Sequence, residues 1–226
     1  MKTLNTSPRD PTPRTEVDPL EDYYRRALEL IGKHEGSKDH YYSLPARYDN
    51  SGATVGRGVD LGQQRREDLE RLGIPESVIS KVEPLFGVRN KQGEGAVDEA
   101  ISRATPLEVE EIDLLNEAFS RHNVDRLIND LGPSVSDIDP DLFAHIASAY
   151  YRGGLKPEHE TFKLIQSGRY PDAAEEFLRN KEYERLKALN PEDGVVRRMD
   201  EMADLLMASG YKRGGKIRDA YGRSYI

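Results

Sequence analysis

Ten residues, ATVGRGVDLG at positions 53–62, restrict the fold of this chain more than any other stretch. They follow the turn signal Asn50-Ser51-Gly52 and alternate in type, whereas apolar residues elsewhere recur at helical spacing. With a period of two, Thr54, Gly56, Gly58 and Asp60 share one face of a strand, and Ala53, Val55, Arg57 and Val59 share the other. The Thr54 face is then bare between two polar ends. Glycine inside a strand marks a bulge or the close approach of a ligand to the backbone. A straight strand from Thr54 to Asp60 would span roughly 20 Å. The two side chains therefore reach one reacting bond only if the strand bends at Gly56 or Gly58.

The other signals are helical. Asp18 and Pro19 supply an N-cap and first position for a helix whose stripe is Leu20, Tyr23 or Tyr24, Ala27, Leu28 and Ile31. Thr105 and Glu108 form a capping box around Pro106, ahead of Leu107, Ile112, Leu115 and Phe119. Asp139-Pro140 opens a mostly apolar helix, DLFAHIASAYYRGG, expected at the centre of the molecule. Two further helices lie in PDAAEEFLRN and in PEDGVVRRMDEMADLLMASG, with Gly210 read as the stop of the second. The fold class is α+β, with a small N-terminal sheet or hairpin lobe and a larger helical lobe. The organisation expected is a flexible Pro-rich arm over 1–18, a two-lobed domain over 19–210 and a basic tail over 211–226.

Composition narrows the function. The 226 residues suffice for one sizeable core or two small lobes. Net charge is −8, which argues against nucleic acid as the main partner. Residues 94–113 carry seven acids against one base, and 211–226 five bases against one acid. Both read first as solvated surface, and second as contacts for a carrier or inhibitor protein and for an anionic polymer. There is no cysteine, no run of about 18 apolar residues and no apolar core in the first 19 residues. Synthesis in the cytoplasm without a signal peptide is expected, with no membrane span and a monomeric state. The five histidines show no metal-ligand spacing, and neither a Gly-x-Ser-x-Gly elbow nor a phosphate-binding glycine loop is present. No metal or cofactor is expected.

Glu35 ends the first helix, with Gly36 as its stop. The negative end of the helix dipole disfavours a carboxylate there, and burial would push the same way. A carboxylic acid still protonated near neutral pH is what a general acid needs. From position alone, an ordinary solvated helix end is the competing reading, and His34 beside it reads as solvated too.

A helix ending in Glu-Gly, a turn, and then Thr-Val-Gly-x-Gly resembles the N-terminal region of phage-type lysozymes. The form TVGRGVDLG is closer still to the muramidase domain of pesticin and its relatives. The segments AHIASAYYRGG, FKLIQSGRYPDAAEEFLRN and GVVRRMDEMADLL, the last with Arg197 and Arg198, resemble later helices of such enzymes, so the likeness covers about 20–210. It departs where phage lysozymes have Gly-His and this chain has Gly58-Val59.

The resemblance implies a cleft between the lobes, peptidoglycan glycan strands as substrate and a catalytic set of Glu35, Thr54 and Asp60. Asp49, five residues before Thr54, stays open as the alternative second carboxylate, with Asp39 as a weaker one. In the scheme implied, Glu35 protonates the leaving oxygen while Thr54 and an Asp hold a water on the opposite face, with inversion. A lytic transglycosylase and a non-catalytic wall-binding module are the other readings. The context expected is a phage endolysin or an injected antibacterial effector acting on the periplasm or wall of a target cell, the latter with an immunity partner.

Overall fold

The computed structural model describes residues 19–45, 48, 50–93, 95–212, 217–218 and 224–225. The expected arm over 1–18 lies outside the described residues, as does most of the basic tail.

The chain starts with α1 (Pro19–Glu35), whose buried Ala27 and Ile31 carry the stripe legible in the sequence. A three-stranded antiparallel sheet follows, of β1 (Lys38–Tyr42), β2 (Thr54–Gly56) and β3 (Val59–Asp60), in that spatial order. The single strand expected over 53–62 is instead a hairpin. The chain reverses at Arg57 and Gly58, so Val55 pairs with Val59 and Thr54 with Asp60. The turn takes positive φ at Gly56 (60°) and Gly58 (94°), which only glycine adopts without strain.

Three short helices, α2 (Arg66–Arg71), α3 (Glu76–Val82) and α4 (Ala96–Arg103), complete the small lobe. Its core packs Ala53, Val55, Val59 and Leu61 from the sheet region against Leu69, Ile79, Val82, Leu85 and Ala100. The small lobe is therefore a mixed unit, not a sheet alone. Short helices with two or three apolar residues each give too little periodicity to read in sequence.

The long helix α5 (Val109–Leu131) serves both lobes. Ile112 and Leu115 enter the small-lobe core, and Val124, Leu127 and Leu131 enter the other. Its cap differs from expectation: the helix begins after Glu108, whose N–H donates to the Glu111 carboxylate at 2.8 Å. Thr105 and Pro106 lie before it, the Thr105 N–H bonding the Lys81 carbonyl.

The large lobe is built on α6 (Pro140–Tyr151), which is apolar nearly all round and so buried. Asp139 caps it as expected, its carboxylate accepting from the Asp141 N–H at 3.0 Å. Around it pack α1, α5 and α10 (Gly194–Lys212); α8 (Tyr170–Leu178) packs on α10 and on α7 (Glu160–Gln166), and α9 (Lys181–Leu189) on α10. The helix α10 runs past Gly210. That glycine is not a stop: a Cβ there would lie 2.6 Å from the Pro171 ring, so it permits α10 to cross α8 closely. Beyond it, β4 (Ile217–Arg218) and β5 (Ser224–Tyr225) pair antiparallel.

Candidate active site

The site grows from the end of α1. Gly36 takes φ 62° and its N–H bonds the Gly32 carbonyl, which ends the helix at Glu35. This holds the Glu35 carboxyl under α6 and α10. Its Oε1 is buried without a hydrogen bond among the described residues, 3.7 Å from Arg152 Nε and 3.6 Å from Arg198 Nη1. Both separations exceed hydrogen-bonding distance, so the guanidiniums act on the acid through charge alone. Burial pushes the Glu35 pKa up and outweighs the Arg152 charge, which acts the other way. Arg198 is fixed by bonds to the Gly194 carbonyl (3.0 Å) and to the His34 carbonyl (2.8 Å).

His34 is not the solvated residue expected. It is half-buried, with Nδ1 2.8 Å from the Ser148 hydroxyl and its ring edge-on to His145 at 6.1 Å. Burial and nearby cationic groups hold its pKa down at about 4, so it is neutral beside Glu35 near pH 7. The two histidines, Ser148, Arg152 and Arg198 line a cavity of about 140 Å³ behind the acid.

The sheet carries the other candidates. Thr54 is 3% exposed, and its hydroxyl donates to its neighbour's carbonyl at Gly52 over a long 3.3 Å. Asp60 stands across from Thr54 in the hairpin. Its carboxylate accepts from the Gly52 N–H (3.1 Å), the Ser51 hydroxyl (3.2 Å) and the Gln63 amide (2.8 Å). Opposed residues in an antiparallel pair point to one face, with Cα atoms about 5 Å apart. The 20 Å obstacle of a straight strand is thereby removed. Thr54 and Asp60 line one cleft of about 520 Å³ with Tyr42, Tyr48, Asn50 and Gln63.

Of the other candidates, Asp49 lies outside the described residues. Asp39 is 83% exposed on β1 and bonds His40 at 2.8 Å, away from the cleft. Among the described residues no group of three or more His, Asp or Glu side chains could hold a metal.

The hairpin is locked to the large lobe at its tip. The Arg57 N–H donates to Asn116 Oδ1 at 2.7 Å, and the Arg57 carbonyl accepts from the Tyr151 hydroxyl at 3.0 Å. The Arg57 guanidinium would meet a Cβ on Gly32 of α1 at 3.1 Å. One residue thus ties the turn to α5, α6 and α1. Asn116 also donates to the Ser37 hydroxyl at 3.2 Å, next to the start of β1.

The sequence left three residues of this neighbourhood unassigned. Arg152 follows α6, and Arg198 sits in a motif noted only as helical; their convergence on Glu35 is tertiary. Tyr42 stands seven residues after Glu35 in β1. The register shifts between Lys38 and Tyr42, so β1 does not pair continuously with β2 and no alternating pattern marked it.

A large helical lobe, a small sheet-bearing lobe and an acid on the helix that leads from one into the other define a lysozyme-like protein. Residues 27–166 match the Pesticin family, described as "Bacterial toxin homologue of phage lysozyme, C-term". The match covers more than half of the chain, and the chain belongs to that family. No curated protein matches it.

Proposed function

We propose that this protein is a muramidase that hydrolyses the β-1,4 bond between N-acetylmuramic acid and N-acetylglucosamine of peptidoglycan, with inversion. The observation that carries the reading is the Glu35 carboxyl: half-buried, its Oε1 short of a hydrogen bond, raised in pKa, and placed where α1 leads into the sheet. A raised pKa favours the protonated form, and a protonated carboxyl has a donor to offer a glycosidic oxygen.

In this reading the Glu35 proton passes to the leaving oxygen as the bond to the anomeric carbon breaks. A water on the other face forms the new bond and gives its proton to the second carboxylate. Asp60 takes that role because three protein donors fix its orientation beside Thr54. The Thr54 hydroxyl spends its proton on the Gly52 carbonyl, which leaves oxygen lone pairs to accept from the water. Inversion requires the two carboxyls about 6.5–9.5 Å apart, to leave room for that water. Asp49 remains the alternative base. The biological role that follows is bacteriolytic: a toxin that reaches the wall of a target cell by injection or lysis, with an immunity protein guarding the producer.

The test is clearing of purified sacculi. Glu35→Gln should abolish it, and clearing that survives the change would sink the assignment. Asp60→Asn should cost far more activity than Asp49→Asn; the reverse order would move the base to Asp49. Reducing ends in the products mark hydrolysis, whereas anhydro ends would mark a transglycosylase.

A further inference from the structure

We propose that the Tyr42 hydroxyl is a substrate-contacting donor of the cleft, binding an acceptor oxygen of the sugar held between Glu35 and Asp60. The inference rests on the wall-glycan reading above and adds a residue to its site.

The sheet register comes first. Tyr42 pairs with Thr54, and Thr54 with Asp60, so the three residues form one row across β1, β2 and β3. Residues opposed in this way present side chains on one face. The same three line the cleft of about 520 Å³. Tyr42 is thus a third member of the row that holds the proposed water-binding pair.

The second observation is an unspent donor. Among the described residues no hydrogen bond is made by the Tyr42 hydroxyl, although the side chain is half-buried. A phenol that makes no protein bond and faces a cleft holds its O–H for water, or for a ligand group that replaces that water. Tyr151, its counterpart on the large-lobe side, spends its own hydroxyl on the Arg57 carbonyl. Tyr42 keeps its donor for something that enters the cleft.

Third is the charge around it. Burial, then the Glu35 charge, then the Asp60 charge raise the phenol pKa, so the group responds to both carboxyls and stays protonated across the neutral range. A hydroxyl in the field of both carboxyls that stays a donor suits a ligand that reaches both. The ring is held by the Lys38 ammonium, 3.8 Å from its centroid, which limits its freedom before the ligand arrives. The partner chemistry is an acceptor oxygen on a hexosamine: a ring hydroxyl or an N-acetyl carbonyl.

The experiment measures kcat and KM on soluble, uncrosslinked peptidoglycan glycan strands for the full chain, Tyr42→Phe, Lys38→Met and Glu35→Gln. Tyr42→Phe keeps the ring and its contact with Lys38 and removes only the hydroxyl. It should lower kcat/KM roughly tenfold with an unchanged thermal midpoint. Lys38→Met should raise KM more than it lowers kcat. Tyr42→Phe within twofold of the parent overturns the inference, as does a loss that tracks a fallen midpoint with KM unmoved. If the parent chain fails to cleave, or Glu35→Gln cleaves as well as the parent, the wall-glycan reading fails and the inference with it. If the parent cleaves, Glu35→Gln is dead and Tyr42→Phe is unimpaired, the Tyr42 role alone falls.

Discussion

Glu35 is held at a cost to stability. Its folded-state pKa lies above the ordinary value of 4.5 because burial disfavours the charge. The folded protein therefore binds more protons than the unfolded chain just above that value, and stability falls as pH rises through the window that starts at 4.5. Glu35→Gln removes that penalty. Its thermal midpoint should exceed the parent's by a few degrees at pH 7, and the gain should vanish well below pH 4. A variant that melts lower than the parent at pH 7 would mean that the Arg152 and Arg198 charges outweigh burial. This residue was legible because three local signals converge on it: a helix end, a following glycine and a carboxyl. Its two arginines were not legible, since 117 residues separate Glu35 from Arg152 and nothing local marks either.

At the scale of elements, the β2–β3 hairpin makes the site by bringing Thr54 opposite Asp60. Its geometry depends on Gly56. A Cβ there would lie 2.2 Å from Asn116 Oδ1, at a φ of 60° that other residues resist. Gly56→Ala should cost about 1–3 kcal/mol in chemical denaturation. Activity should fall further than stability, because the Arg57 anchor on Asn116 is displaced. A variant as stable and as active as the parent would show that the turn relaxes freely.

The glycines of this segment were visible in the sequence, and a bend at Gly56 or Gly58 was one of the two purposes they allowed. Gly-x-Gly within a strand-length run signals a reversal with positive φ as readily as a surface cleared for a ligand. Periodicity alone does not separate the two, and pairing between strands decides it. The irregularity in β1 hid Tyr42 for a related reason, since β1 takes four steps from Lys38 to Tyr42 where β2 takes two, and the pairing is not continuous. The helices α1, α6 and α10 were legible because each buries a broad apolar face on one core. The helices α2, α3 and α4 fill a small lobe with a few apolar residues each, and they were not.

For the whole molecule, the half-buried histidines weigh on stability in acid. His34 titrates at about 4 in the folded protein against 6.5 when exposed, and burial lowers His145 as well. The unfolded chain thus binds more protons between these values. Stability should fall as pH drops from 6.5 through about 4. Glu35 works in the opposite sense over part of this range, so the informative measurement is a difference. His34→Gln should flatten the acid side of the midpoint-against-pH curve relative to the parent. An unchanged slope would show that neither the Ser148 contact nor burial keeps His34 neutral.

The bond between Arg198 and the His34 carbonyl joins residues 164 positions apart. The acid sits on the first long helix, and the last long helix completes its surroundings. A ribosome releases these two pieces far apart in time, and so does any narrow passage that admits the chain from its N-terminus. Until α10 arrives, Glu35 lacks the Arg198 guanidinium that stands beside it in the complete fold. Chain order thus delays the assembly of this corner: Arg198 reaches Glu35 and His34 only once nearly the whole polypeptide has come through.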